Sequence, residues 1–145
     1  MASHIASGDE VAVTFRFVGD TLQPGEITAL MALKPTLAHA KGDPVAKHPG
    51  RKQPTGYWGL DSTLASSCSL DEHLRHLLSQ LESRVATIAD IKRRECTASL
   101  YCAYFISTVT GSLIQLGPDL LERVAALGVP LEVHLYSDID TAEEG

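Results

Sequence analysis

The sequence predicts an α+β domain, in which helices pack on one face of a mainly antiparallel sheet with a ferredoxin-like topology or an elaboration of it. Three observations indicate this class. Residues 69–94 show the three-and-four spacing of apolar side chains that is typical of a long amphipathic helix. Residues 11–18 and 97–107 alternate in the period of two that is typical of strands. Shorter helical and strand patterns alternate through the rest of the chain.

The first half of the chain supplies a strand, a short helix and two further strands. Residues 11–18 place apolar side chains at every second position, which predicts one buried face. Pro24 suits the first position of a helix that we expect to end before Pro35, because a residue preceding proline avoids helical angles. Short strands are expected at 37–41 and 57–62. Between them, residues 42–56 predict a long basic loop rich in proline and glycine.

A single long central helix is predicted over residues 69–94. Ser69 is a favourable N-cap, and Glu72, three residues later, completes a capping box. The basic residues at 92–94 suit the negative end of the helix dipole. The side chains expected to be buried share one face of this helix: Leu70, Leu74, Leu77, Leu78, Leu81, Val85, Ile88 and Ile91.

The C-terminal part predicts a central strand, an edge strand, a helix and a final strand. Both faces of residues 97–107 are fairly apolar, as in a strand buried inside a sheet. Residues 112–116 are expected to form an edge strand. Pro118 and Gly128 mark the start and end of a helix over 118–127, and residues 131–136 alternate as a last strand.

Length and composition predict one domain. The 145 residues, 44% of them hydrophobic, suffice for a core. We expect a flexible tail at residues 1–10, the α+β domain at 11–138 and an acidic tail at 139–145. A net charge of −6 argues against nucleic acid as a partner. Neither a bilayer-spanning apolar run nor a signal peptide is visible, so we expect a cytoplasmic protein with no membrane partner.

Cysteine and histidine patterns do not predict a metal or a catalytic centre. Cys68, Cys96 and Cys102 fit no zinc spacing and are expected to be free thiols in a reducing compartment. His73 and His76 share a helix face but lack further ligands, so we expect surface histidines. Cys68 precedes a helix and could have a lowered thiol pKa, but no group that would support it as a nucleophile is identifiable. No metal, cofactor or catalytic residue is therefore predicted.

One candidate ligand site combines the basic loop with the only tryptophan. In this hypothesis Trp58 forms a wall of a cleft, and cations of the loop recognise an anion. The residues that it involves are Asp43, His48, Arg51, Lys52 and Trp58. The alternative is that Trp58 anchors the loop to the core and that the cations are solvated, since large aromatic side chains more often pack than bind.

A second candidate site is the half-polar second face of the predicted sheet. Arg16, Tyr101 and His134 are expected to lie on this face, together with other polar residues of the same strands. Such a face can be exposed to solvent, bind a partner protein or form a homodimer.

Short segments in a defined order resemble a bacterial protein family. They span about residues 11–138 and include VGDTLQPGEIT at 18–28, KPT at 34–36, KGD at 41–43, GYWGL at 56–60 and LDEHL at 70–74. This pattern resembles the family catalogued as domain of unknown function 4279. The resemblance implies a small, single-domain, cytosolic bacterial protein without an established activity. It supplies no catalytic residues.

We therefore predict a non-enzymatic binding or protein-interaction module. A specific form of this hypothesis is an immunity-type protein that neutralises a basic toxin, for which the small size, acidic charge and family resemblance argue. The alternative is an anionic-ligand sensor or an enzyme that uses Trp58 and the basic loop. The sequence does not identify the protein partner or small molecule.

Overall fold

The computed structural model describes residues 8–107 and 111–137. The strands are β1 (Glu10–Gly19), β2 (Leu37–His39), β3 (Pro44–Val45), β4 (His48–Lys52), β5 (Gly56–Asp61), β6 (Thr97–Ile106) and β7 (Leu131–Ser137). The helices are α1 (Pro24–Met31), α2 (Leu70–Leu81), α3 (Val85–Lys92) and α4 (Pro118–Leu127), with a 3₁₀ turn at Glu82–Arg84. The predicted α+β class is confirmed.

The main sheet has five strands in the order β2-β5-β1-β6-β7 and is mixed. Strand β1 pairs antiparallel with β5 and β6, and β2 pairs antiparallel with β5. Strand β7 joins β6 in parallel, after the crossover through α4. A ferredoxin-like topology is therefore not confirmed.

One face of the sheet and the apolar sides of the helices enclose the core. Strand β1 turns Val11, Val13, Phe15 and Phe17 inward, each at most 2% exposed. All four helices contribute side chains to the same cluster: Ile27 and Met31 from α1, five leucines from α2, Ile88 and Ile91 from α3, and Leu120, Val124 and Leu127 from α4. The helices consequently cover one face of the sheet and leave the other, which we call the open face, without a helix among the described residues. In this same part of the chain, no helix has the length and apolar character needed to cross a membrane.

The predicted long helix is wrong as a single element. Helix α2 ends at Leu81, and a 3₁₀ turn separates it from α3. The Arg84 side chain turns back and donates hydrogen bonds to the carbonyls of Gln80 and Met31. Val85, predicted to be buried, is the first residue after this turn and is 36% exposed.

The predicted start of the long helix is confirmed. The Ser69 hydroxyl accepts from the Glu72 N–H, and the Glu72 carboxylate accepts from the Ser69 N–H, at 3.2 and 3.1 Å. This reciprocal pair satisfies two of the N–H groups that a helix start leaves without intrahelical partners.

Three further expectations need correction. Residues 42–56 contain a β3–β4 hairpin rather than only a loop, and residues 112–116 form no strand. The predicted N-terminal tail is too long, because β1 begins at Glu10 and Asp9 is 3% exposed. Asp9 accepts hydrogen bonds from the Ser107 N–H and from Ser112. The rest of the predicted tails, residues 1–7 and 139–145, lies outside the described residues.

Candidate binding surface on the open face

The open face carries polar and aromatic side chains from all five strands of the main sheet. Because side chains alternate across a strand, the pairing register places one set of them on this face in adjacent rows. The larger members are Glu10, Thr14, Arg16, His39, Tyr57, Asp61, Ser99, Tyr101, Phe105, Glu132, His134 and Tyr136.

Arg16 lies near the middle of this surface. Its guanidinium carbon is 4.3 Å from the centre of the Tyr101 ring, within the distance of a cation–π contact. Its Nε donates to the Ser99 hydroxyl at 3.3 Å, and its Nη2 is 3.4 Å from the Glu132 carboxylate. These contacts hold the guanidinium flat on the sheet, which leaves it orientated before any partner binds.

An aromatic cluster continues from Arg16 toward β7. The Tyr101 hydroxyl is 3.4 Å from His134 Nδ1 and 3.3 Å from the Tyr136 hydroxyl. The Tyr136 ring stacks on His134 and on Phe105, with ring centres 4.2 and 4.9 Å apart. The hydrogen bond with Tyr136 and partial burial raise the pKa of Tyr101 above its ordinary value. The phenol therefore stays protonated at neutral pH and can donate a hydrogen bond.

Strands β2 and β5 build the other half of the open face. The Tyr57 ring lies over Gly59, where a Cβ would come within 2.5 Å of the Tyr57 hydroxyl oxygen. His39 stacks on Tyr57 from β2, with ring centres 5.7 Å apart. Burial, with Asp61 nearby, raises the pKa of Tyr57. Asp61 also accepts a hydrogen bond from the Thr14 hydroxyl at 2.6 Å.

The structure brings together Arg16, Tyr101 and His134, the three residues that the sequence places at an interface. It adds residues that the sequence analysis did not select, namely His39, Tyr57 and Asp61. The sequence of β5 could have indicated two of them. Side chains alternate between the two faces of a strand, so Tyr57 and Asp61 share one face and Trp58 lies on the other. Their position on the face of Arg16 depends on the β1–β5 register.

The structure does not bring together the residues of the predicted anion cleft. Trp58 is 0% exposed, packs against Phe17 with ring centres 5.8 Å apart, and donates from Nε1 to the Thr28 hydroxyl at 3.0 Å. It therefore occupies the core, as the structural alternative expects, and cannot form the wall of a solvent-open cleft.

The cations of that cleft lie on the β3–β4 hairpin, away from the tryptophan. His48, Arg51 and Lys52 are all exposed on β4. Asp43 has a structural contact at the base of the hairpin, where its carboxylate accepts from the Ala40 N–H at 2.8 Å.

The histidines of α2 are tied to the segment that precedes the helix. His73 is 1% exposed, so the expectation of a surface residue is wrong. Its Nδ1 lies 2.7 Å from the Ser62 hydroxyl, and His76 Nε2 lies 3.0 Å from the Thr63 hydroxyl. Within the described ranges, no group of three or more His, Cys, Asp or Glu side chains is arranged to hold a metal.

The Cys68 thiol differs from the sequence expectation as well. Partial burial and the neighbouring Glu72 side chain raise its pKa, whereas a helix N-terminus alone would lower it. His73 is bonded to Ser62 instead of Cys68. The arrangement therefore lacks the features that activate a cysteine nucleophile.

Comparison with known proteins identifies a family and no activity. A family model described as a domain of unknown function (DUF4279) matches residues 9–138. No curated protein and no solved structure matches the chain.

Proposed function

We propose that this chain, which belongs to the DUF4279 family of unknown function, is a non-enzymatic protein-interaction module that binds its partner through the open face. Family membership confirms the resemblance predicted from the sequence. The observation that carries the proposal is the preorganised Arg16–Tyr101–Tyr136 cluster on a sheet face that no described helix covers. Tyrosine and arginine in this kind of setting are the residues that most often dominate the energy of protein interfaces.

The charge of the open face favours a basic partner. The face carries three carboxylates, from Glu10, Asp61 and Glu132, and one guanidinium, from Arg16. The chain as a whole has a net charge of −6. Lysine or arginine side chains of a partner would find complementary charge here, which increases both specificity and the association rate.

The test begins with the partner that co-purifies with the tagged chain from its native host. Its dissociation constant is measured by calorimetry for the wild type, Tyr101→Ala and Tyr136→Ala. We expect each substitution to weaken binding by about 2 kcal/mol, as the loss of an interface hot spot does. Arg93→Ala is the matched control, because Arg93 is exposed on the helical side and its described ion pair is with Asp90, three residues earlier in the chain.

Two results would contradict this proposal. One is a partner whose affinity is unchanged by both tyrosine substitutions, which would place the interface elsewhere. The other is an affinity that does not fall as salt is raised, since charge complementarity between exposed groups is screened by salt.

The immunity-type hypothesis is a narrower form of the same proposal. It requires that the partner is a basic toxin and that binding abolishes its toxicity. A neighbouring toxin gene, or co-purification of a basic toxin, would support this form. A non-toxic partner would leave the general interaction module and remove the immunity role.

A further inference from the structure

The two edges of the main sheet differ in length. Strand β2, at one edge, has three residues. Strand β7, at the other, has seven and includes no proline, lysine or bulge. Short strands, prolines, lysines and bulges are the usual devices that keep an edge from pairing with another chain. Within Leu131–Ser137, β7 has none of these four devices, and Glu132 is its one carboxylate.

The backbone of β7 presents one row of groups that no described strand pairs. The Leu100 N–H of β6 donates to the Pro130 carbonyl at 2.9 Å. In a parallel pair, alternate residues direct both backbone groups toward the neighbouring strand, so Glu132, His134 and Tyr136 face β6. The residues that direct their N–H and C=O groups outward are Leu131, Val133, Leu135 and Ser137. No strand among the described residues pairs with that side.

The side chains along the edge are unusually apolar for an exposed strand. Val133 and Leu135 point to the helical side of the sheet and are 40% and 56% exposed. On the open face, Tyr136 is 39% exposed. Glu132 is the only acidic residue of the strand, and His134 its only titratable basic residue. An edge with free backbone groups and exposed apolar side chains is suited to adding another strand.

We propose that the occupant is β7 of a second copy, paired antiparallel about a two-fold axis at His134. In this register Val133 faces Leu135 of the second copy, and Glu132 faces Tyr136. All residues of the strand are then paired, with about eight backbone hydrogen bonds across the axis. The inference concerns the edge of the sheet and holds whether or not the open face binds a partner.

The strand sequence favours this register over its neighbours. An axis at Glu132 would place two carboxylates directly opposite each other, which is unfavourable in a cross-strand pair. An axis at Val133 would leave Tyr136 and Ser137 beyond the paired region. With the axis at His134, the two glutamates are four positions apart along the paired strands, and both pairs that flank the axis are apolar.

Pairing through one edge buries less surface than a standard protein interface, roughly below 1,200 Å². We therefore expect a weak dimer that forms as the concentration rises from about 10 μM to about 1 mM. Sedimentation velocity over this range measures the equilibrium. Leu135→Lys should weaken the dimer about tenfold or more, since a lysine on an edge strand opposes pairing. Leu121→Lys, on α4 and similarly exposed at 49%, is the matched control and should have no effect.

Crosslinking tests the register. At a non-hydrogen-bonded antiparallel pair the two Cα atoms are about 4.5 Å apart, within the range of a disulfide. In a Cys68→Ser background, His134→Cys should therefore form a covalent dimer under mild oxidation. Leu37→Cys, on the opposite edge, should remain a monomer.

Sedimentation tests whether the β7 dimer forms, and crosslinking tests its register. A wild-type chain that is monomeric at the highest concentration overturns the proposal. So does a dimer that is equally stable in the Leu135→Lys variant, because it would use another surface. Crosslinking through Val133→Cys instead of His134→Cys overturns the register stated here.

Discussion

Arg16 and Phe17 are adjacent in β1 and belong to two different parts of the molecule. Arg16 stacks on Tyr101 of the open face, whereas Phe17 contacts Trp58 in the core. The pleat of the strand sends consecutive side chains to opposite faces. This alternation explains why Trp58, which precedes Gly59 on the neighbouring strand, is unavailable to an external ligand.

Substitution of Trp58 tests its role in the core. Trp58→Phe removes the hydrogen bond to Thr28 and leaves space, and should lower the free energy of unfolding by about 1–3 kcal/mol. Urea unfolding followed by circular dichroism measures the loss. Wild-type tryptophan fluorescence should also resist quenching by iodide, and strong quenching would contradict the burial of the indole.

His73 should make stability depend on pH. Burial lowers its pKa, against opposing effects of the Ala65 carbonyl and Glu72. The unfolded chain has a histidine pKa of about 6.5 and takes up a proton more readily than the folded protein. Stability is therefore complete above about pH 6.5 and decreases as the pH falls toward the lower folded-state pKa.

A His73→Gln variant isolates this contribution. Compared with the variant, the wild type should lose stability in urea unfolding between about pH 7.5 and pH 5.5. The other histidines are present in both proteins, so their contributions to the pH dependence cancel when the two free energies of unfolding are subtracted. Parallel pH profiles would show that His73 does not titrate differently in the folded state.

At the scale of the elements, α2 packs its leucines against β1, and the 3₁₀ turn redirects the chain into α3. The leucines at 74, 77, 78 and 81 are all fully buried. Val85, the first residue of α3, is 36% exposed, whereas Ile88 and Ile91 in the same helix are fully buried. Apolar periodicity thus predicted the buried side chains of both helices except Val85, but not the interruption, which involves a contact between Arg84 and the carbonyl of Met31 in α1.

Truncation of a leucine in α2 should be costly. Leu77→Ala should lower the free energy of unfolding by about 2–5 kcal/mol, since it leaves a cavity in a packed core. Leu121→Ala, the same change at a half-exposed position of α4, is the control and should cost less than about 1 kcal/mol. Equal losses in chemical denaturation would mean that the buried face of α2 is wrongly assigned.

Removal of the α2 cap should have a smaller effect. Ser69→Ala eliminates the hydroxyl that accepts from the Glu72 N–H, and should cost about 0.5–2 kcal/mol. Thermal unfolding of Ser69→Asp provides the comparison, because aspartate can cap the same N–H. If Ser69→Asp is as unstable as Ser69→Ala, the stability lost in Ser69→Ala is not due to the loss of the helix cap.

At the scale of the whole molecule, the β3–β4 hairpin is separate from the main sheet. The Gln53 N–H donates to the Asp43 carbonyl, and the Gly42 N–H donates to the Gln53 carbonyl. These bonds close the hairpin at its base. Beyond them every residue except Val45 is exposed, and the exposed residues include Lys47, Arg51 and Lys52.

Shortening the hairpin should therefore leave the fold intact. Replacement of residues 44–52 by Asn-Gly would connect Asp43 to Gln53 through a two-residue turn. The free energy of unfolding should change by less than about 1 kcal/mol, because few buried contacts are lost. If anion binding by the wild type exists and disappears in this variant, the hairpin has a ligand-binding role without Trp58. A large loss of stability would contradict the separation of the hairpin from the core.

Elements whose signals are local could be predicted from the amino-acid sequence. The alternation in β1 and β6, the cap of α2, and the proline and glycine at the ends of α4 predicted structure correctly because each depends on neighbouring residues. Residues that were assigned to the second face, such as Arg16 and Tyr101, followed from the same alternation.

The way in which those elements combine depends on tertiary contacts. Strand order, the parallel pairing of β7, the break before α3 and the burial of His73 depend on contacts between residues distant in the chain. The open face likewise exists because register aligns five strands whose polar residues are far apart in sequence. Periodicity identifies which side of a strand is polar, but pairing between strands determines which polar sides meet.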